Sequence, residues 1–190
     1  MPRVFVLGGP NGAGKSTAAR GILPAHVSIS RFVNADEIAR GLSAYDPGSV
    51  AVEAGRLMLR RLDALAEEGE DFAFETTLAS RTFLPRFRKL QQAGYKIEVL
   101  YVWVPSPDMS VGRVASRVAS GGHHVPAEVI RRRYERGREN FLREYRPLAD
   151  TWEVYENTGA QPDLVAFGGH QRPTTILNPT LWLRMSGETL

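Results

Sequence analysis

Gly9-Pro10-Asn11-Gly12-Ala13-Gly14-Lys15-Ser16-Thr17 decides how the rest of the chain reads. A glycine, four residues, then Gly-Lys-Ser is the Walker A spacing of a phosphate-binding P-loop. Glycines let the backbone turn its N–H groups inward to line a concavity of phosphate size. The helix that follows aims its positive end at the same point. In that arrangement Gly9, Pro10, Asn11, Gly12, Ala13 and Gly14 wrap the phosphates of ATP. Lys15 reaches the β- and γ-phosphates, the Ser16 hydroxyl sits on Mg²⁺, and Thr17 helps hold the α-phosphate. The flanks supply the context the motif requires. Val4-Phe5-Val6-Leu7 is a short apolar run suited to a buried parallel strand. Ser16-Thr17-Ala18-Ala19-Arg20 opens a helix expected to stop near Gly21 and Pro24. Strand, glycine-rich loop and helix together favour a nucleotide site over an ordinary glycine-rich turn.

At 190 residues the simplest organisation is one domain over residues 1–190, large enough for a core. The absence of cysteine excludes disulfides, zinc–thiolate sites and cysteine nucleophiles. The N-terminus runs straight into the first strand, which leaves no room for a signal peptide, and no apolar run reaches membrane-span length. The expectation is a cytoplasmic enzyme with no membrane contact. A net charge of +3 is a mild excess that suits a polyphosphate ligand. Nearly all positive charge is arginine; the lysines are Lys15, Lys89 and Lys96, so one of these rare residues stands in the P-loop.

Apolar runs and helical spacings alternate along the chain. Strands are predicted at Arg31–Asn34, Asp71–Thr77, Ile97–Val104 and Trp152–Tyr155. Helices are predicted to begin at Ala35, along the stripe Val50, Ala54, Leu57, Met58, Leu62 and Leu65, and over Phe83, Phe87 and Leu90. Two more are predicted at Met109–Ala119 and along Ile130, Tyr134, Phe141 and Tyr145, the second ending near Pro147. Gly41–Gly48 reads as a loop. The tail holds Leu164–Phe167, Thr175–Leu177 and a last helix around Leu181–Met185. This pattern predicts an α/β fold: a P-loop NTPase-type parallel sheet, helices on both faces, and ligands at the carboxyl ends of the strands.

Three stretches beyond the P-loop end or follow strands where chemistry would sit. Asp36 follows the second strand. A kinase needs a carboxylate beside the acceptor hydroxyl to orient it and take its proton, and Asp36 is in the expected place; the alternative is a carboxylate that only complements the helix dipole. Phe72-Ala73-Phe74-Glu75-Thr76-Thr77 is an apolar strand ending in a carboxylate, as in a Walker B strand. Glu75 there serves either Mg²⁺ or the substrate's hydroxyls. The third stretch, Arg113–Arg133, places arginines on two helices around Gly121-Gly122, and a flap of this kind can bring guanidinium onto a transferring phosphoryl group. A small helical lid is expected over about 109–133. His123 and His124 without a carboxylate do not make a metal site.

Taken in order, Gly-Pro-Asn-Gly-Ala-Gly-Lys-Ser-Thr, Phe-Val-Asn-Ala-Asp-Glu-Ile, Phe-Glu-Thr-Thr and the flap with Gly-Gly-His-His-Val-Pro resemble the zeta toxin family. These are P-loop kinases related to chloramphenicol phosphotransferase. The likeness runs from about residue 3 to 158 and takes in Tyr155-Glu156-Asn157-Thr158. It implies an ATP-dependent, Mg²⁺-requiring transfer of the γ-phosphate to a hydroxyl of a small metabolite; the best-known members act on UDP-N-acetylglucosamine. By position it implies Lys15 as phosphate-binding lysine, Asp36 as catalytic base, Arg117 as the catalytic flap arginine, and Glu75 and Thr77 as substrate-pocket residues. It admits an antitoxin protein as partner. The family's second flap arginine falls here on or near His123, so that either Arg132 or Arg133 substitutes for it or the charge is absent.

Two other function classes compete. A nucleic-acid or RNA-end kinase is compatible with the basic balance, but no basic stretch is interleaved with stacking aromatics. A non-catalytic nucleotide-binding regulator would need neither Asp36 nor an arginine-bearing flap. No Asn-Lys-x-Asp stretch supports guanine recognition.

Overall fold

The computed structural model describes residues 1–19, 31–122 and 124–188. The expected helix stop at Gly21 and Pro24, and His123, lie outside them. The first strand, β1 (Arg3–Gly8), explains the layering. Val4, Phe5, Val6 and Leu7 are each at most 1% exposed. Successive strand residues point to opposite faces, so both faces of β1 are covered. The other strands are β2 (Phe32–Asn34), β3 (Phe72–Thr76), β4 (Lys96–Trp103), β5 (Thr151–Glu156), β6 (Asp163–Gly169) and β7 (Arg172–Ile176). They form one sheet in the order β2-β3-β1-β4-β5-β6-β7.

Strands β1 to β5 pair in parallel, whereas β6 and β7 are antiparallel. The expected parallel sheet is thus present over β1 to β5, and an antiparallel pair extends it at one edge. Residues 157–162 join β5 to β6, and only His170 and Gln171 join β6 to β7. A parallel crossover needs about a dozen residues or more, so these links can only reverse the chain.

The helices are α1 (residues 15–19), α2 (Ala35–Leu42), α3 (Ala51–Glu67), α4 (Leu84–Gln92), α5 (Pro107–Ala119), α6 (Ala127–Asn140) and α7 (Pro179–Ser186). Asn34, Ser106 and Asn178 cap α2, α5 and α7 by accepting backbone N–H bonds. Helix α2 runs through Gly41 and Leu42, two residues into the expected loop. Pro107 ends the reach of β4 and also opens α5, because its fixed φ suits a first helical turn.

The long helix expected up to Pro147 changes character at Asn140. A π turn (Phe141–Tyr145) and a 3₁₀ turn (Arg146–Leu148) complete it. The π turn lies where Phe141 stacks on Tyr101 at 4.3 Å and Tyr145 meets Phe87 at 5.3 Å. A widened turn of this sort occurs where packing overrides regular helix geometry. Near the C-terminus Trp182 of α7 stacks on Trp152, and the Arg146 guanidinium lies 5.6 Å and 5.7 Å from those two rings.

Helices α5 and α6 pack on each other through Val114, Val125 and Ile130, joined by Val111, Val118 and Val129. This cluster is separate from the main core that surrounds the sheet. An Asp108–Arg131 ion pair adds a second tie between the two helices. The hairpin thus carries its own small core beside the P-loop edge of the sheet.

Candidate active site

Asn11 and Lys15 of the P-loop, Asp36, Glu75, Thr77, Arg132 and Arg133 meet at the carboxyl edge of the parallel strands, as the rule for open α/β sheets requires; Arg117 is not among the residues that line this cleft. The P-loop leaves β1 at Gly8. Gly9 has φ 139° and Gly12 φ 77°, and a Cβ on either would lie 2.1 Å from the Val102 carbonyl oxygen or 2.5 Å from that of Ser110. Only glycine meets both demands, so the loop lies directly on β4 and α5. Asn157, just past β5, fastens it from the far side. Its Nδ2 donates to the Ala13 carbonyl at 2.7 Å, its N–H to the Trp103 carbonyl at 2.9 Å, and its own carbonyl accepts from Arg113 at 2.7 Å. Arg113 therefore braces the α5–α6 hairpin against the loop.

Lys15 is buried, and its Nζ donates to the Pro10 carbonyl at 2.9 Å and lies 3.5 Å from Glu75 Oε1. Burial pushes the ammonium below its ordinary range; the Glu75 and Asp36 carboxylates oppose that shift, and the Arg117 guanidinium adds to it. All three side chains therefore act on Lys15. Ser16 Oγ donates to Glu75 Oε2 at 2.6 Å. Sheet register puts Glu75 between Leu7 on β1 and Asn34 on β2. Asn34 Nδ2 donates to Glu75 Oε2 at 3.2 Å, while its Oδ1 caps the Asp36 N–H at 2.8 Å.

A cleft of about 540 Å³ opens beside these groups. Asn11, Lys15, Asp36, Glu75 and Thr77 line it, and so do Arg56 from α3 and Arg132, Arg133 and Arg136 from α6. Other arginines of α6 and the π turn are paired: Arg131 with Asp108, Arg138 with Glu135, Arg143 with Glu139. Among the described residues the four cleft arginines make no ion pair. The Asn11 Oδ1 atom is buried without a hydrogen-bond partner in this cleft wall. A second cavity of about 400 Å³ between α3 and α4 is lined mainly by Leu62, Phe72, Phe74, Phe87 and Leu90. Its Asp63 and Arg86 pair with each other, and Glu67 and Lys89 also lie on its wall.

The loop after β3 is held from above by α6. A Cβ at Gly137 would meet the Thr77 carbonyl oxygen at 2.3 Å, and Asn140 Nδ2 donates to the Leu78 carbonyl at 2.9 Å. Tyr145 donates to the Ser80 carbonyl. Leu78 takes a left-handed backbone, φ 55°, within that clamp. Arg117 is exposed near the end of α5, and its stem runs against Gly122, where a Cβ would lie 2.6 Å from Arg117 Cγ. Gly122 thus provides room for the arginine, while Gly121, at φ 85°, turns the chain out of the helix. Among the described residues no group of three His, Cys, Asp or Glu side chains is arranged to hold a metal.

Sequence reading missed Asn34 and Asn157 as anything beyond a helix start and part of a motif. It also missed Arg56 and Arg136 as cleft residues. The helical stripe of α3 was informative only about the core; Arg56 lies off that stripe.

A family profile described as zeta toxin matches residues 1–162. The chain belongs to the zeta toxin family. A protein of Haemophilus influenzae described as uncharacterized is 26% identical over 126 residues, 66% of this chain and 88% of its own. Among solved structures, this zeta toxin family member is similar to the AvrRxo1-ORF1:-ORF2 complex with ATP, at TM-score 0.75 and 18% identity over 98% of this chain. It spans only 64% of that chain's length. The PezAT chromosomal toxin–antitoxin system of Streptococcus pneumoniae gives a TM-score of 0.70 at 17% identity, covering 100% of this chain and 80% of the other. At these identities the structural likeness shows a shared α/β fold and nothing more. No helix among the described residues is long and apolar enough to cross a membrane.

Proposed function

We propose that this chain is an ATP- and Mg²⁺-dependent phosphotransferase acting on a hydroxyl of a small anionic metabolite. The observation that carries the reading is the convergence on one cleft of Lys15, Glu75 (bonded to Ser16) and Asp36 with four arginines that make no ion pair among the described residues. Lys15 binds the β- and γ-phosphates. Its hold on the Pro10 carbonyl exchanges for phosphate oxygen, and burial strengthens that contact.

The Ser16 and Glu75 oxygens, 2.6 Å apart at the loop's mouth, are hard donors that fit Mg²⁺. This favours the metal role for Glu75 over the substrate role. Bound there, Mg²⁺ would neutralise charge on the β- and γ-phosphate oxygens. Asp36 orients the acceptor hydroxyl and takes its proton. The acceptor oxygen forms its bond to Pγ while the β–γ bridging P–O bond breaks, and ADP leaves with that electron pair. Arg117, swung in on the α5–α6 hairpin, stabilises charge growing on the transferring oxygens. Thr77 and the arginines Arg56, Arg132, Arg133 and Arg136 hold the acceptor.

The cleft arginines, which make no ion pair among the described residues, favour an acceptor that brings its own phosphate, as a UDP-N-acetylglucosamine-like sugar nucleotide does. The similar AvrRxo1 structure was solved with ATP, which supports the choice of donor. The PezAT neighbour is part of a toxin–antitoxin system, which supports a protein antitoxin as partner. The test is ADP release with MgATP and, in separate reactions, UDP-sugars, free sugars and RNA with a 5′-hydroxyl. Turnover with UDP-sugars and none with free sugars is the expected result. Turnover only with RNA would replace the acceptor class, and no turnover with metabolite extracts or RNA would leave a nucleotide-binding regulator.

A further inference from the structure

Asn34 sits where three elements of the cleft meet. It is the last residue of β2, in register with Glu75 of β3, and it is the N-cap of α2, which carries Asp36. Its backbone is extended at φ −134° and ψ 123°, as an N-cap requires. Both ends of its amide are used. Oδ1 accepts the Asp36 N–H at 2.8 Å, and Nδ2 donates to Glu75 Oε2 at 3.2 Å. The same Oε2 accepts the Ser16 hydroxyl at 2.6 Å. A continuous path therefore runs from Ser16 in the phosphate loop, through Glu75 and the Asn34 amide, to the backbone of Asp36.

We infer that Asn34 is a positioning residue that sets the carboxylate on the metal side, Glu75, against the base, Asp36; this rests on the phosphotransferase reading above. The chemistry demands an amide. A cap alone needs only an oxygen acceptor, which Ser, Thr and Asp supply equally well. Holding a carboxylate with the other end needs an N–H donor on the same rigid planar group, which among short side chains only Asn offers. The amide fixes the Glu75 carboxylate in one rotation and, through the cap, fixes the first turn of α2. The distance between metal side and base is then set by one side chain in place of two independent loops. A small misplacement of reacting groups is costly in rate, so this tie acts on turnover more than on nucleotide binding.

Asn34→Ser separates the two functions, because serine keeps the cap and is too short to hold Glu75. The expected result is a melting temperature like that of the parent, an unchanged KM for ATP and a kcat lowered about tenfold, the size of a directly coupled pair. In a Glu75→Ala background, which removes the acceptor, the same substitution should cost little more. An Asn34→Ser protein with parent kcat overturns the inference, and so does an equal loss in both backgrounds. If the melting temperature also falls, the double-mutant cycle decides: coupling supports the tie and additivity sinks it. A readout without any acceptor keeps this separable from the kinase reading. Calorimetry of ADP binding with and without Mg²⁺ should show the Mg²⁺ enhancement reduced several-fold in Asn34→Ser, with metal-free ADP affinity intact. An unchanged enhancement overturns the inference even if no acceptor is ever found, whereas a parent protein inert toward every acceptor overturns only the kinase reading.

Discussion

Lys15 is held under tension between burial, which disfavours its charge, and two carboxylates, which favour it. Phosphate relieves that conflict, so Lys15→Ala should abolish turnover and weaken ATP binding while circular dichroism stays native. A folded Lys15→Ala protein with normal turnover would end the P-loop reading. Asp36 is exposed at the start of α2, where its carboxylate is free to meet an acceptor. Asp36→Asn keeps the shape and removes the base, so kcat should fall roughly 10²–10⁴-fold with ATP affinity nearly unchanged. Retention of full kcat would reduce Asp36 to a helix-start residue. Motif spacing brought Lys15, Ser16 and Asp36 into view, because each stands at a fixed offset from a strand end. The contact of Glu75 with Ser16 at 2.6 Å, on which the proposed metal role rests, was not legible because the two residues stand 59 positions apart.

The α5–α6 hairpin is the element we propose as a lid. Its small valine-rich cluster is separate from the main core, while Tyr134 and Arg113 tie it to Val104 and Asn157, and Arg132, Arg133 and Arg136 line the cleft. Arg117→Ala should lower kcat by roughly 10³–10⁵-fold while ATP affinity stays within several-fold, and Arg117→Lys should rescue poorly because an ammonium lacks the planar fork. Hydrogen exchange of 107–140 should slow when nucleotide and acceptor are both present. Near-normal kcat in Arg117→Ala, or exchange indifferent to ligands, would remove the lid role. Helix α6 also acts as a clamp. Gly137→Ala places a methyl 2.3 Å from the Thr77 carbonyl, so either the helix or the acceptor loop must shift. A loss of about 1–3 kcal/mol in chemical denaturation and a raised KM for the acceptor are expected. Unchanged acceptor KM would show that the Thr77 loop does not set acceptor affinity.

At the scale of the whole molecule, the C-terminal hairpin and α7 complete the core around Trp152. Trp182 is 1% exposed and stacks on it, and Arg146 pairs with Glu188 across the same corner. Trp182→Ala should cost about 3–5 kcal/mol of stability, read by denaturant unfolding. ATP affinity below the transition should survive, because the corner lies away from the phosphate loop. A loss below 1 kcal/mol, roughly the size of a surface change, would mean that α7 is dispensable to the core.

The sequence by itself determined the nucleotide loop, the order of strands and helices, and the family. Those follow from local rules: glycines where the backbone must turn tightly, apolar runs where strands are buried, and caps at helix starts. It also held the antiparallel edge, since six- and two-residue links cannot cross over a sheet, although the alternating pattern upstream suggested more of the same. Only the tertiary structure decided which arginines are ion-paired and which line the cleft without an ion pair among the described residues, because Arg131 and Arg132 are adjacent on one helix and differ only in what faces them. It alone joined Asn34 to Glu75 and Asn157 to Ala13. A side chain's partner across the sheet is set by strand register and by the packing of elements far apart in the chain, which no local pattern encodes.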